Sequence, residues 1–284
     1  MKSIFFRIVL LVGLVIALFA PFTFLVPETR IVQDKLAPVV TDPVIPAPVE
    51  KKVKVIEQPL HKVVLPNFAD IYDIPTKKRQ FFDFIRPAIV AKNKQLASDR
   101  AEIETWHEKI SLGIGLTAQE QVALEAYVKA YRVNKQGSTL QQLNDLLTRV
   151  DIIPTELVLV QAANESAWGT SRFARLGLNF FGIWCYQSGC GIVPSGRKSG
   201  AKHEVAAFDS VDDAVAGYFN NINKHNAYHV FRTIRAELRA QNQPLDAEIL
   251  ASGLLPYSER GSDYVLDIKN MLRHNQAYFG SSNT

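Results

Sequence analysis

Three features of the 284-residue chain predict a predominantly helical α+β fold. Apolar residues recur at helical spacing over most of the stretch from about residue 76 to residue 277. One helix inside it, opening near Pro154 and Thr155, carries Leu157, Val158, Val160, Gln161, Ala162 and Ala163 with almost no polar face, so it reads as the buried centre of the fold. Residues 192–208 are of a different kind. Pro194, Gly196 and Gly200 precede the alternating run His203-Glu204-Val205-Ala206-Ala207-Phe208, the pattern of a β-hairpin lobe.

Taken in order, the chain opens with a tail, residues 1–7, holding Lys2 and Arg7. Residues 8–26 follow without a charge. Nineteen residues span ~28 Å as a helix, close to the ~30 Å of a bilayer core. The small-residue cleavage candidate Leu18-Phe19-Ala20 is followed by Pro21, which suits a processing site poorly, so an uncleaved transmembrane anchor is favoured over a cleaved signal peptide. The positive flank predicts a cytosolic tail and an exported remainder at the inner membrane, facing the periplasm. Residues 27–75 read as a spacer rich in proline and valine, extended and semi-rigid.

Residues 76–150 read as a helical scaffold. Phe81, Phe82, Phe84, Ile85, Ile89 and Val90, then Leu96, Ile103 and Trp106, keep helical spacing, with Pro87 expected to kink or split the helix. Thr117 and Glu120 form a capping box ahead of Val122, Leu124, Ala126 and Tyr127. Leu140, Leu143, Leu146 and Leu147 mark a third helix. Residues 151–279 follow as the functional domain. After its central helix come a short helix or turn at 172–178, the hairpin lobe, a helix opened by Ser210, and further helices at 234–240, at 246–254 and after Tyr264.

The central helix ends in a single acid, Glu165, ahead of the stop at Gly169. A lone carboxylate there is costly unless it is paired, protonated or open to a cleft. Trp168, three residues on, is placed on the same helical face to shield the carboxyl and raise its pKa. A carboxyl protonated near neutral pH can serve as a general acid on a glycosidic oxygen. The plainer reading is a carboxylate that caps or salt-bridges a helix end.

Asn164-Glu165-Ser166-Ala167-Trp168-Gly169-Thr170-Ser171 resembles the E-S-x-W-G-x-S signature of bacterial peptidoglycan N-acetylglucosaminidases related to the flagellar rod-cap hydrolase. Asn179-Phe180-Phe181-Gly182-Ile183 matches that family's N-L-F-G turn. The likeness is nearest to the Bax-type branch, over Val150 to Thr155, the Cys185 and Cys190 pair and the downstream tyrosines. The resemblance implies a lysozyme-like fold, Glu165 as general acid, peptidoglycan glycan strands as the partner and no cofactor. It implies substrate contacts from Ser166, Trp168, Asn179, Phe181, Tyr228 and Tyr264, and a place at the reacting centre for Tyr257. Asn179 fits an Asx turn equally well.

In an exported chain, Cys185 and Cys190, enclosing four residues with glycines at 189 and 191, read as a disulfide. Two thiols without His or Cys partners do not complete a metal site. A net charge of +4 and a pI near 8.9 suit an anionic wall or membrane surface, and no clustered basic stripe argues for nucleic acid. The oligomeric state is not legible.

The second carboxylate of a two-acid glycosidase is missing from its family position, because no Asp or Glu occurs from Phe180 to His203. Three mechanisms stay open: Glu204 acting through a shifted hairpin, assistance by the substrate's own N-acetyl group, or a water held by Tyr257 or Asn179. As a bland reading, Glu204 is a solvent-facing strand residue. Three activities also stay open: an endo-β-N-acetylglucosaminidase, a lytic transglycosylase or lysozyme-type muramidase, and a wall-binding scaffold with little turnover.

Overall fold

Helix α1, Ile74–Ser111, sets the frame for the rest of the chain. The computed structural model describes residues 57–197 and 200–280, so the expected tail, anchor and first part of the spacer lie outside the described residues. No helix among the described residues is long and apolar enough to cross a membrane. Asp73 caps α1 by accepting from the Thr76 N–H. The helix runs through Pro87 unbroken, where the sequence predicts a kink or split. Phe81, Phe82, Ile85, Ile89, Leu96, Ile103 and Trp106 are all buried, and their packing outweighs the one backbone hydrogen bond that proline removes.

Two capped helices follow, α2 at Ala118–Ala130 and α3 at Thr139–Arg149. Thr117 and Glu120 form the predicted capping box, and Ser138 and Gln141 form a second. Helix α4, Thr155–Ser166, is buried along Leu157 to Ala163. It opens at Pro154 and Thr155 as expected, but Pro154 is the N-cap residue and no side chain, that of Thr155 included, caps the free N–H groups. Helix α5, Arg172–Gly177, leads into a three-stranded antiparallel sheet of β1 (Trp184–Cys185), β2 (Gly191–Ile192) and β3 (Glu204–Ala206). Strand β3 lies in the middle, pairing Cys185 with Glu204 and Gly191 with Ala206. The lobe is thus a three-stranded sheet closed by β1 rather than a simple hairpin.

The remainder is helical: α6 at Val211–Lys224, α7 at His229–Ala240, α8 at Ala247–Ala251 and α9 at Ser262–His274. Tyr228 and Tyr257 sit in short 3₁₀ turns between them. The result is a predominantly helical α+β, lysozyme-like fold with one small sheet. A single apolar core runs from Phe68 to Leu272, so α1 to α3 share it with α4.

The second half of the expected spacer behaves differently from a free tether. From Glu57 onwards it lies on the folded body. Glu57 pairs with Arg172 at 2.5 Å, the Leu60 N–H donates to the Leu176 carbonyl, and Phe68 is buried. Phe68 packs edge-on against Phe81, 5.4 Å between centroids. Burial of the Phe68 ring, the Glu57–Arg172 ion pair and the Leu60 backbone bond together favour docking of the segment over a free tether.

Candidate active site

Glu165 occupies the last turn of α4, and the chain turns sharply just after it. Ala167, Trp168 and Gly169 all take left-handed φ values, of 50°, 57° and 77°. Two of the three are not glycine, so the turn holds strain that its hydrogen bonds must offset. Those bonds are Trp168 N–H to the Ala163 carbonyl, Gly169 N–H to Ser166 Oγ, and Ser171 N–H to the Ser166 carbonyl. A Cβ on Gly169 would fall 2.5 Å from Cδ2 of Phe68, which explains why the turn closes on glycine.

This geometry corrects two assignments. Trp168 has left the helix, so the expected three-residue relation to Glu165 on one helical face does not exist. Its ring packs on Phe81 and Phe82, with Lys78 Nζ 5.4 Å from its centre. Ser166 is fully buried and spends its hydroxyl on the helix end, donating to the Ala162 carbonyl and accepting from Gly169. It is therefore closed to a substrate.

Glu165 itself is half-buried among tyrosines. Burial pushes its pKa above the ordinary carboxyl value, while the nearby Tyr264 hydroxyl and the Asn164 amide work against that rise. Asn164 Nδ2 donates to Oε1 at 3.1 Å. Behind the acid runs a buried relay: the Tyr218 hydroxyl donates to Gln161 Oε1, and Gln161 Nε2 donates to the Tyr264 hydroxyl at 2.9 Å. With its lone pair so engaged, Tyr264 keeps its own proton for the carboxylate. Burial and the charge of Glu165 raise the pKa of Tyr264 far above that of a free phenol, so it stays a donor.

The predicted Tyr257 and Tyr228, together with Tyr218, close the ring. Tyr257 stacks on Tyr264 at 5.6 Å and lies 5.8 Å from Tyr228, while Tyr218 stacks on Phe181 at 4.5 Å. The Tyr257 hydroxyl donates to the Phe181 carbonyl at 2.7 Å, which fixes its orientation. Burial pushes Tyr228 up to about 12. Phe181 is fully buried, so it supports the ring of tyrosines and offers little face to a ligand.

A cleft of about 630 Å³ opens beside this ring, lined in part by Gly182, Ile183, Trp184, Tyr228 and Tyr257. Gly182, at φ 65°, lines the cleft beside the acid: a Cβ placed there would sit 3.6 Å from Glu165 Oε2. Nearly half of Trp184 and most of Tyr186 are exposed on the cleft's rim.

Asn179 and Glu204 are both taken up by structure. Asn179 is buried, its amide donating to the carbonyls of Ile183 and Ala206 and its oxygen accepting from Phe181 and Ile183. Its hydrogen-bonding capacity is filled by the Asx turn and the sheet, leaving nothing for a sugar or a water. Glu204 is buried, so it is not the solvent-facing strand residue expected. Its carboxylate accepts the N–H groups of Gly189 at 3.1 Å and Gly191 at 2.9 Å. Gly189 lies within the loop closed by the Cys185–Cys190 disulfide, and Gly191 opens β2 just beyond it. Buried pairing with these N–H groups replaces both the exposed position and a free catalytic carboxylate.

Sequence reasoning passed over Gln161, Tyr218 and the exposed rim pair Trp184 and Tyr186. Gln161 carried a usable signal, being the one polar side chain in the middle of an apolar helix. Tyr218 carried none, since an aromatic at helical spacing reads as ordinary core.

Comparison with known proteins agrees with this geometry. Residues 140–277 match the glucosaminidase family, described as mannosyl-glycoprotein endo-beta-N-acetylglucosaminidase. The chain is 34% identical over 201 residues to protein bax of Escherichia coli strain K12, with 70% of each chain covered. No solved structure matches. With its glucosaminidase domain and this relative, the chain belongs to the Bax-type branch of the glucosaminidase family.

Proposed function

We propose that this protein is an endo-β-N-acetylglucosaminidase that cuts β-1,4 linkages in peptidoglycan, with Glu165 as general acid. The observation that carries the reading is the half-buried Glu165 carboxyl, its pKa raised by burial, bonded by Asn164, with the Tyr264 hydroxyl nearby and Gly182 of the cleft lining against it. Its proton passes to the glycosidic oxygen as the bond to the anomeric carbon breaks, and the leaving sugar departs as an alcohol. The substrate's 2-acetamido oxygen takes the vacated bond to that carbon, and water later opens the ring so formed. Two facts favour this substrate-assisted route over a second protein carboxylate. Glu204 is occupied by two backbone N–H groups, and none of the described residues lining the cleft is an Asp or Glu.

The same lack of an acid favours a second reading, a lytic transglycosylase, in which a sugar hydroxyl attacks in place of water. Digests of purified sacculi separate the two: reducing N-acetylglucosamine ends support the hydrolase and anhydromuramyl ends the transglycosylase. Glu165→Gln keeps the shape and removes the proton, and is expected to slow cleavage at least ~100-fold with an unchanged fold. Near-wild-type turnover in this variant defeats the assignment. If neither form cuts yet both bind wall material, the scaffold reading holds.

An exported location belongs to the proposal. Residues 8–26 supply the anchor, and the folded body faces the periplasm, where its substrate lies. A C-terminally tagged chain should fractionate with the inner membrane at full length. A shortened, soluble periplasmic product would refute the anchor.

A further inference from the structure

The cleft lining is cationic, and among the described residues that line it there is no acidic counter-charge. Arg132 and Lys224 both line it, together with His225. They come from different elements: Arg132 follows the C-terminus of α2 and Lys224 ends α6. Among the described residues neither is in a salt bridge, and no Asp or Glu lines the cleft to balance them.

The two charges feel each other. The Lys224 pKa is lowered, first by burial and then by the neighbouring cations Lys92 and Arg132. Lys224 Nζ rests 4.8 Å from the centre of the Tyr131 ring, and its backbone carbonyl accepts from Arg149. Arg132 sits at φ 56°, in the position after a helix end that ordinarily favours glycine. Cations at helix C-termini gain a little from the helix dipole, but two of them lining one cleft repel. An anion bound between them would relieve that repulsion.

We propose that Arg132 and Lys224 form a subsite for a carboxylate carried by the glycan strand, so that the cleft selects acidic wall glycans over neutral N-acetylglucosamine polymers. This rests on the glycan-binding part of the function proposed above. Peptidoglycan offers such a carboxylate from two sources: the lactyl group of N-acetylmuramic acid once its peptide is removed, and the free carboxylates of the stem peptide. Arg132 precedes the stretch matched by the glucosaminidase family, residues 140–277, so the subsite is partly built by the preceding helical region. Exposed Trp184 and Tyr186 on the cleft's rim offer aromatic faces to the neutral part of the same strand.

The test measures binding rather than turnover, with the full chain carrying Glu165→Gln as the background. Three probes are compared: chito-hexaose, peptide-stripped glycan strands, and uncrosslinked strands that keep their peptides. Adding Arg132→Gln and Lys224→Gln together should weaken binding of a carboxylate-bearing strand about tenfold at low salt, with little change on chito-hexaose. The loss should shrink on the order of several-fold as salt is raised towards ~0.5 M. Loss only on the peptide-stripped strands assigns the lactyl carboxylate, loss only on the peptide-bearing strands assigns the stem peptide, and loss on both shows that the subsite takes either carboxylate. An equal loss on chito-hexaose, no loss on any probe, or no binding of strands at all overturns the proposal, provided the melting curves of the variants match. Failure of the hydrolase reading is separate. A wild type that never cuts but binds strands in this charge-dependent way loses only its activity assignment.

Discussion

Asp151→Asn tests how the chain holds the start of its central helix. Asp151 is buried immediately ahead of α4 and faces three guanidinium groups: Arg239 at 2.8 Å, Arg100 at 3.2 Å and Arg235 at 3.8 Å. These come from α1 and α7, so one carboxylate ties both helices to the base of the helix that carries Glu165. Arg235 is itself buried, and burial already lowers its pKa to about 10 in spite of Asp151. Its N–H groups also bond the carbonyls of Thr148 and Ile152 and the side chain of Asn223, and these bonds survive the substitution. What is lost is the only carboxylate that the three cations share, leaving a buried positive charge unpaired. Removing one member of a buried pair costs ~3–5 kcal/mol. For a body of this size each kcal/mol shifts the melting temperature by ~2–4 °C, so a fall of about 10 °C is expected at neutral pH. Thermal unfolding followed by circular dichroism reads it directly. The pH dependence checks the cause. Hydrogen bonding to Arg239 and the nearby guanidinium charges outweigh burial and hold the Asp151 pKa below its ordinary value. Its contribution is therefore full above the unfolded value of ~3.9 and disappears as pH falls through the lower folded value. The difference between wild type and variant should close in that acidic window. A shift under ~2 °C at neutral pH would refute the reasoning.

Two further outcomes follow from the acids of the two lobes. Because burial raises the pKa of Glu165, the charged form is disfavoured in the folded state. Its favourable contribution is present below the ordinary carboxyl value of ~4.3 and is lost as pH rises through the folded value. Glu165→Gln should therefore melt higher than wild type near neutral pH, with the gap narrowing towards pH ~4; a variant less stable at neutral pH would contradict the burial argument. Glu204→Gln leaves the backbone N–H of Gly189 or Gly191 facing an amide N–H₂, and should cost ~2 kcal/mol on thermal unfolding. A variant with an unchanged melting curve that loses turnover as completely as Glu165→Gln would instead make Glu204 catalytic.

The sequence by itself determined the helical class, most capping sites and the place of the acid, because these are local. Thr117 with Glu120 and Ser210 with Asp213 form their caps within one turn, and an apolar helix ending in a single Glu is visible in one dimension. Tertiary structure decided what depends on residues far apart in the chain. Pro87 stays inside one helix because the phenylalanines around it are buried on other elements. Part of the spacer docks because Phe68 meets Phe81 and Gly169. Trp168 leaves the face of Glu165 because three left-handed residues follow Ser166, a turn no helical spacing predicts. Glu204 bonds the N–H groups of Gly189 and Gly191, and Arg132 and Lys224, 92 positions apart in sequence, line one cleft, because strand and helix packing place them there. Local propensity acts over one helical turn, whereas the environment of a charge is set by whatever the fold places beside it.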